Sequence, residues 1–298
     1  MLNGIINVYK EKGYTSHDVV AKLRGILEQK KIGHTGTLDP DAVGVLPVCL
    51  GKGTKLCDML TDQSKTYEAV LFLGVETDTQ DMSGKIIEEK EVKVTKKEIE
   101  AAIYSFVGAY DQIPPMYSAR KVNGKKLYEL ARAGIEVERK PKRVEISDIQ
   151  IMDINLPRIW IEVSCSKGTY IRTLCHDIGE KLFTKGAMEE LVRTRSGRFQ
   201  MKDSLTLKEI EKKKKEKTLM DNILPVEEAF SSYPKVNVKE QYDKYIHNGN
   251  SFLLNQAALL EEKEEIEGLS FRVYDSKKQF TGIYVYRNGA FKPVKMFL

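Results

Sequence analysis

Gly33-His34-Thr35-Gly36-Thr37-Leu38-Asp39-Pro40-Asp41-Ala42-Val43-Gly44-Val45-Leu46-Pro47 places one carboxylate, Asp39, in a Gly-, Thr- and Pro-rich loop between apolar segments. Loops held on a rigid scaffold are where reacting groups tend to sit. Pro40 steers Asp39 away from the right-handed helical region, which gives its side chain a fixed direction. The same composition also marks an ordinary turn. Which of the two holds depends on what flanks it.

Upstream, Ile5-Ile6-Asn7-Val8-Tyr9 reads as a short strand. Thr15 or Ser16 then caps a helix whose apolar face is Val19, Val20, Leu23, Ile26 and Leu27. Downstream, residues 66–73 are β-rich and read as buried, and residues 159–165 form a second strong strand candidate. Gly168 leads from that strand into a helical pattern carrying Ile171, Leu174, Cys175, Ile178 and Leu182 on one face. Strands and helices mix without regular βαβ alternation. The expected class is therefore α+β, with a mixed, mainly antiparallel central sheet.

The chain has 298 residues, 41% hydrophobic and 31% charged, enough for one large domain and a small second one. Basic residues exceed acidic ones by 48 − 43 = 5. Residues 119–146 alone hold nine basic residues against four glutamates, so one segment carries a surplus equal to that of the whole chain. No apolar stretch approaches the roughly 18–20 residues needed to cross a membrane. The N-terminus lacks the layout of a signal peptide, and a cytoplasmic protein is expected. Cys49, Cys57, Cys165 and Cys175 contain no Cys-x-x-Cys pair and read as reduced, mostly buried thiols. His17, His34, His176 and His247 are scattered without helical metal-ligand spacing, so no metal is expected. Gly51-Lys52-Gly53-Thr54-Lys55 lacks the P-loop order, and no G-x-G-x-x-G follows a strand, which disfavours nucleotide-dependent chemistry.

Residues 112–143 interrupt the pattern. They open with Pro114-Pro115, carry Lys125-Lys126 and Arg139-Lys140-Pro141-Lys142-Arg143, and hold a short helical pattern at 127–131. The segment is either a solvated excursion or a phosphate-tracking arm with Tyr117 and Tyr128 interleaved, able to order on RNA. The charge run at 208–217 reads as a solvated helix or linker without a direct RNA role. Beyond Tyr233-Pro234, short apolar strands at 269–274 and 282–286 alternate with turn residues, as in a small β-rich module. The division expected is 1–230 and 231–298, with the basic insertion inside the first part.

Three separated segments carry a family resemblance. They are His34-Thr35-Gly36-Thr37-Leu38-Asp39-Pro40 with 44–47 and 51–55; Lys65-Thr66-Tyr67 with 73–79 and Asp81; and 166–174 with 177–179 and 191–195. In this order they resemble the TruB family of tRNA pseudouridine synthases over roughly residues 2–224. The resemblance implies isomerisation of the T-loop uridine at tRNA position 55: the N1–C1′ bond breaks, the uracil turns, and a C5–C1′ bond forms. It also implies no cofactor, tRNA (its T-stem loop) as partner, no membrane partner, and a monomer.

By the same resemblance Asp39 matches the catalytic aspartate, whether it attacks base, attacks sugar or abstracts a sugar proton. Arg172 matches the arginine that pairs with it, and an Arg fork suits a carboxylate that must stay ionised. Tyr67 matches the tyrosine that stacks on the base, with its hydroxyl a candidate for proton transfer near C5. Tyr170 and Leu191 match pocket residues and could equally be core. His34 matches the histidine that fills the space left by the flipped base, since extrusion costs a few kcal/mol. Lys125 and Lys126, with the Pro-Pro-Met-Tyr-Ser-Ala stretch at 114–119, resemble the bacterial RNA-clamping insertion. The tail sits where bacterial members carry a small PUA-type RNA-binding domain. Two other readings remain: a non-catalytic tRNA-binding or folding protein, and a guide-RNA-dependent synthase subunit.

Overall fold

A computed structural model describes residues 1–122, 124–260 and 265–298; Asn123 of the basic segment and residues 261–264 of the tail lie outside the described residues. The spine of a ten-stranded sheet is made of β1 (Gly4–Lys10), β2 (Val43–Leu50), β3 (Lys65–Leu73), β4 (Gly108–Gln112), β5 (Lys142–Asn155), β6 (Arg158–Cys165), β7 (Gly186–Ser196) and β8 (Ile223–Leu224). Their spatial order is β8-β1-β2-β7-β3-β6-β5-β4, with Ile32–His34 added to β2 and Phe199–Gln200 to β7. All neighbours run antiparallel except β2 and β7, so the sheet is mixed and mainly antiparallel, as the sequence pattern implies.

The parallel join is what positions the loop around Asp39. Only Val43↔Val192 and Gly44↔Arg193 pair across it, and the loop ends immediately before Val43. Gly44 has φ +107°, and a Cβ there would lie 2.3 Å from the Arg193 carbonyl oxygen. Only glycine allows β2 this close to β7.

Period-two burial is clearest in β6, where Ile159, Ile161, Val163 and Cys165 point into the core between half-buried neighbours. They pack beneath α2 (Lys96–Tyr104) and α3 (Ile171–Lys181), with Leu71, Leu73, Leu174 and Ile178. Each such buried Ile or Leu contributes about 1.5–3 kcal/mol relative to exposure. At the other half of the sheet, Ile6, Val8, Leu46 and Val48 pack under α1 (Ser16–Leu27) and α4 (Leu207–Lys215). α1 starts at a capping box in which Thr15 and Asp18 exchange hydrogen bonds, and it ends at Glu28 in the left-handed conformation. α4 is the charge run, folded as a helix on Leu207 and Ile210.

The tail forms a separate six-stranded sheet around Val236, Phe252, Phe271, Tyr284 and Phe291. A further cluster, Ile5, Cys49, Leu56, Phe230, Ile283 and Phe297, joins this module to the far face of β1 and β2. Lys55 Nζ donates to the Met296 carbonyl across the same joint, at 2.8 Å.

Candidate active site

The loop bearing Asp39 is held by buried groups on both sides. Residues 6, 8 and 10 of β1 share one strand face, so the parity that buries Ile6 and Val8 also buries Lys10, which is 0% exposed. Its ammonium donates to the carbonyls of Pro40 (3.0 Å) and Ala42 (2.6 Å), directly after Asp39. From β7, Arg193 (1% exposed) donates through Nε to Val45 O at 2.7 Å and through Nη2 to Gly36 O at 3.5 Å. Leu38 N donates to Ser16 Oγ at 2.9 Å, while the Leu38 and Ala42 side chains are buried. With its neighbours anchored inward, Asp39 faces a cleft of about 980 Å³.

Arg172 meets it there from the first turn of α3. A cation at a helix N-terminus opposes the helix dipole, and this one is only 5% exposed. Its charge is balanced by acceptors that use the whole fork. Nε lies 3.0 Å from Asp39 Oδ2 and Nη2 3.2 Å from Asp39 Oδ1. Nη2 also donates to Tyr117 O at 2.9 Å and Nη1 to Thr79 O at 3.0 Å, with Asp81 Oδ2 at 3.6 Å. Asp81 is fixed in turn by Thr79 Oγ1 and by the N–H and hydroxyl of Ser83.

Burial pushes the Asp39 carboxyl above the usual carboxylate range. The Arg172 guanidinium opposes that shift most strongly, the Asp81 carboxylate adds to it, and the Lys10 ammonium opposes it. Because 40% of the Asp39 side chain remains open to the cleft, covering by a bound base would deepen the desolvation. The Arg172 fork is the group that most strongly favours the ionised carboxylate against that desolvation.

The remaining sequence-predicted residues fall in different places. Leu191 lines the cleft beside Leu38 and Met188. Tyr67 lies under the cleft floor, buried in the core with Leu38, Ala42 and Leu191. Burial raises its phenol pKa against the opposing Arg193, so the hydroxyl is protonated at neutral pH. Tyr170 caps α3 and is half-buried; Gln112 brackets its backbone, accepting from Tyr170 N (2.7 Å) and donating to Tyr170 O (2.9 Å). His34 ends the short strand beside β2, accepts from Gly36 N at Nδ1, and stands edge-on to His17 at 5.0 Å between ring centroids. These two histidines, scattered in sequence, are neighbours in the fold. Burial, then His17 and Arg193, lower the pKa of His34 to about 4, so its ring is neutral.

The basic segment leaves and re-enters the sheet at one point, since Gln112 of β4 is paired with Lys142 of β5. Between them Lys121–Val122 pairs with Lys125–Lys126, and a helix spans Leu127–Arg132. The arm is tied to the body through Gln112 on Tyr170 and Tyr117 O on Arg172, and internally by Arg139 on Pro114 O. Tyr117, Lys126, Tyr128 and Arg132 line the same cleft as Asp39. Lys126 Nζ and the Arg132 guanidinium both lie over the Tyr128 ring, 5.3 and 5.5 Å from its centroid. Lys125 is exposed and does not line the cleft.

Sequence reasoning assigned no role to Lys10, Asp81, Thr79 or Arg193. Strand parity could have found Lys10. Asp81 and Thr79 sit within a quoted motif, but nothing in spacing alone aims them at Arg172. Elsewhere, Glu76, His176 and Glu180 approach metal-like spacing among the described residues. The Lys185 ammonium already lies 2.7 Å from both Glu76 and Glu180 and supplies the positive charge there.

Residues 24–171 match the family model described as TruB family pseudouridylate synthase (N terminal domain), and residues 172–231 match the tRNA pseudouridylate synthase B C-terminal domain. The chain is 52% identical to the tRNA pseudouridine synthase B of Lachnoclostridium phytofermentans and 43% identical to that of Clostridium kluyveri, covering 100% of each chain in both cases. Among solved structures it is similar to a chain of a Cbf5-Nop10-Gar1 complex (27% identity, TM-score 0.73). It is also similar to a chain of an H/ACA RNP bound to a substrate RNA containing 2′-deoxyuridine (25% identity, TM-score 0.72). Each of these two matches covers 99% of this chain and 85% of the other. With both family models matched and full-length relatives at this identity, the chain belongs to the TruB family of pseudouridylate synthases.

Proposed function

We propose that the protein isomerises uridine 55 in the T-loop of tRNA to pseudouridine, acting on the RNA as a monomer without guide RNA or cofactor. The observation that carries this reading is the Asp39–Arg172 fork, with Asp39 facing a cleft whose opposite wall is a basic arm. Full-length similarity to proteins named tRNA pseudouridine synthase B supports tRNA as the substrate over a guided RNA target.

In this reading the target uridine flips into the cleft, and the stacking lost, a few kcal/mol, is offset by protein contacts. Lys126, Arg132 and the rest of the arm track the phosphates of the T-stem. His34, neutral and half-buried, stands in for the departed base. Asp39, kept ionised by Arg172, assists cleavage of the N1–C1′ bond. The uracil turns over Leu191 and the Tyr67 ring that lies beneath the cleft floor, C5 bonds to C1′, the C5 hydrogen leaves as a proton, and N1 gains one. Tyr170 shapes the pocket by holding the start of α3. Residues 1–230 perform this chemistry, and the β-rich module at 231–298 serves as a PUA-like RNA-binding unit in a cytoplasmic enzyme.

The test is tritium release from tRNA carrying uridine labelled at C5, with purified protein alone. One tritium per tRNA is expected, abolished by Asp39→Asn while RNA binding persists. Tight binding without release would replace this reading with a binding protein or a guide-dependent subunit.

A further inference from the structure

We propose that Cys49 and Cys57 form a peroxide-responsive dithiol that closes to an intramolecular disulfide at the joint between the central sheet and the C-terminal module.

The placement follows from the strand beside β2. Gly33 is the direct register partner of Cys49. Directly opposed residues of an antiparallel pair project to the same face, with Cβ atoms about 4.5–5.5 Å apart. A Cβ added at Gly33 would lie 3.1 Å from Cys57 Sγ. The sulfur of Cys57 therefore occupies the space that a side chain at position 33 would fill, alongside Cys49. Cys49 belongs to the apolar cluster that carries Leu56, Phe230, Ile283 and Phe297, and Cys57 packs against that cluster.

The two thiols are unequal. Cys49 is fully buried, whereas Cys57 is half-buried. The Cys49 thiol donates to the Cys57 sulfur, which lowers the Cys57 pKa against the effect of burial, and Lys295 of the tail acts in the same direction. The Cys49 thiol is pushed up correspondingly. Cys165 and Cys175 are buried, and burial pushes them up to about 11 and about 12. A half-buried thiol with a lowered pKa beside a fully buried thiol is the arrangement of an attacking and a resolving cysteine.

The oxidant is hydrogen peroxide or an organic hydroperoxide. The Cys57 thiolate attacks the peroxide; an S–O bond forms, the O–O bond breaks, and water or an alcohol leaves with the proton it needs. Cys57 is oxidised to a sulfenic acid while the peroxide is reduced. Cys49 then attacks the sulfenic sulfur, the S–S bond forms, the S–O bond breaks, and water leaves. The protein has lost two hydrogens and two electrons. Thiol reductants reverse the change.

The experiment treats the full-length protein with hydrogen peroxide, blocks free thiols with an alkylating agent, and maps peptides by mass spectrometry. The expected product is a Cys49–Cys57 linked peptide, cleared by dithiothreitol and formed about tenfold or more faster than any oxidation of Cys165 or Cys175. In Cys49→Ser, Cys57 should accumulate as sulfenic acid, trapped by dimedone. In Cys57→Ser, Cys49 should stay reduced. The wild-type chain alone can overturn the proposal, by keeping both thiols alkylatable, by carrying Cys57 to sulfinic acid with Cys49 still free, or by linking a different pair.

Discussion

Replacing Arg172 by lysine keeps the charge and removes the fork, so it isolates what planar geometry contributes. Four nitrogen-to-oxygen contacts at 2.9–3.2 Å leave the Arg172 guanidinium: two to Asp39 and one each to the carbonyls of Tyr117 and Thr79. One ammonium has three donors radiating from a single atom and cannot span both Asp39 oxygens, Thr79 and Tyr117 together. At least one bond to the carboxylate is lost, at about 1.5–3 kcal/mol for a charged acceptor. At about 1.4 kcal/mol per tenfold, kcat should fall roughly 10- to 100-fold if that bond orients Asp39 in the transition state. A carbonyl left without a donor costs a further ~1–3 kcal/mol of fold stability, so a thermal melt must accompany the kinetics. The pH dependence supplies an independent reading. Burial already raises the Asp39 pKa and Arg172 is its strongest opponent; weakening that opposition raises it again. Since the ionised form reacts, the acid limb of kcat/KM should move to higher pH, with partial recovery of rate in alkaline buffer. Single-turnover tritium release from labelled tRNA measures both effects. A folded Arg172→Lys protein within about threefold of wild type at neutral pH, with its acid limb unmoved, would refute the pairing as the source of Asp39's ionisation.

Lys10→Met keeps the aliphatic stem and removes the ammonium from the carbonyls of Pro40 and Ala42; kcat should fall about tenfold with KM little changed, and an unchanged kcat would remove Lys10 from the support of Asp39. Burial sets the folded pKa of Lys10 at about 8 against 10.5 in the unfolded chain. The unfolded state therefore binds the extra proton between those values, wild-type stability rises with pH across that window, and Lys10→Met should lack the rise. Alanine at Lys125, Lys126, Lys140 and Lys142 should weaken tRNA binding and flatten the log–log salt dependence by up to about 0.7–0.9 per lost phosphate contact; an intact slope would remove the arm from the RNA interface. For His34, with a folded pKa of about 4 against 6.5, stability rises with pH between those values because only the unfolded ring is protonated there. His34→Gln should remove that part of the slope, and an imidazole NMR titration with a midpoint near 6.5 would contradict a neutral His34.

What the sequence discloses and what it hides divide along the range of the interactions. Local devices are readable. Period-two alternation marks β6, and Thr15 with Asp18 marks the start of α1. The excess of positive charge marks an arm that begins and ends on paired strand positions, Gln112 and Lys142. The Asp39–Arg172 pair spans 133 residues, and no spacing rule connects such positions; there the family resemblance supplied the expectation. Resemblance was silent on the supports, because Lys10 and Arg193 look like surface cations in any composition count. Their burial depends on the strands beside them: Lys10 is paired with Gly44 of β2, and Gly44 is paired with Arg193 across the parallel join between β2 and β7. That join rests on Gly44, whose missing Cβ lets the Arg193 backbone approach and brings the Arg193 side chain back toward Gly36 and Val45. Gly44 follows Pro40 by four residues and closes the sheet against the strand that pins the loop. The chemistry at Asp39 therefore depends on a backbone contact that carries no reactive group. Any side chain at Gly44 should lower kcat by displacing Arg193, while the composition of the cleft stays the same.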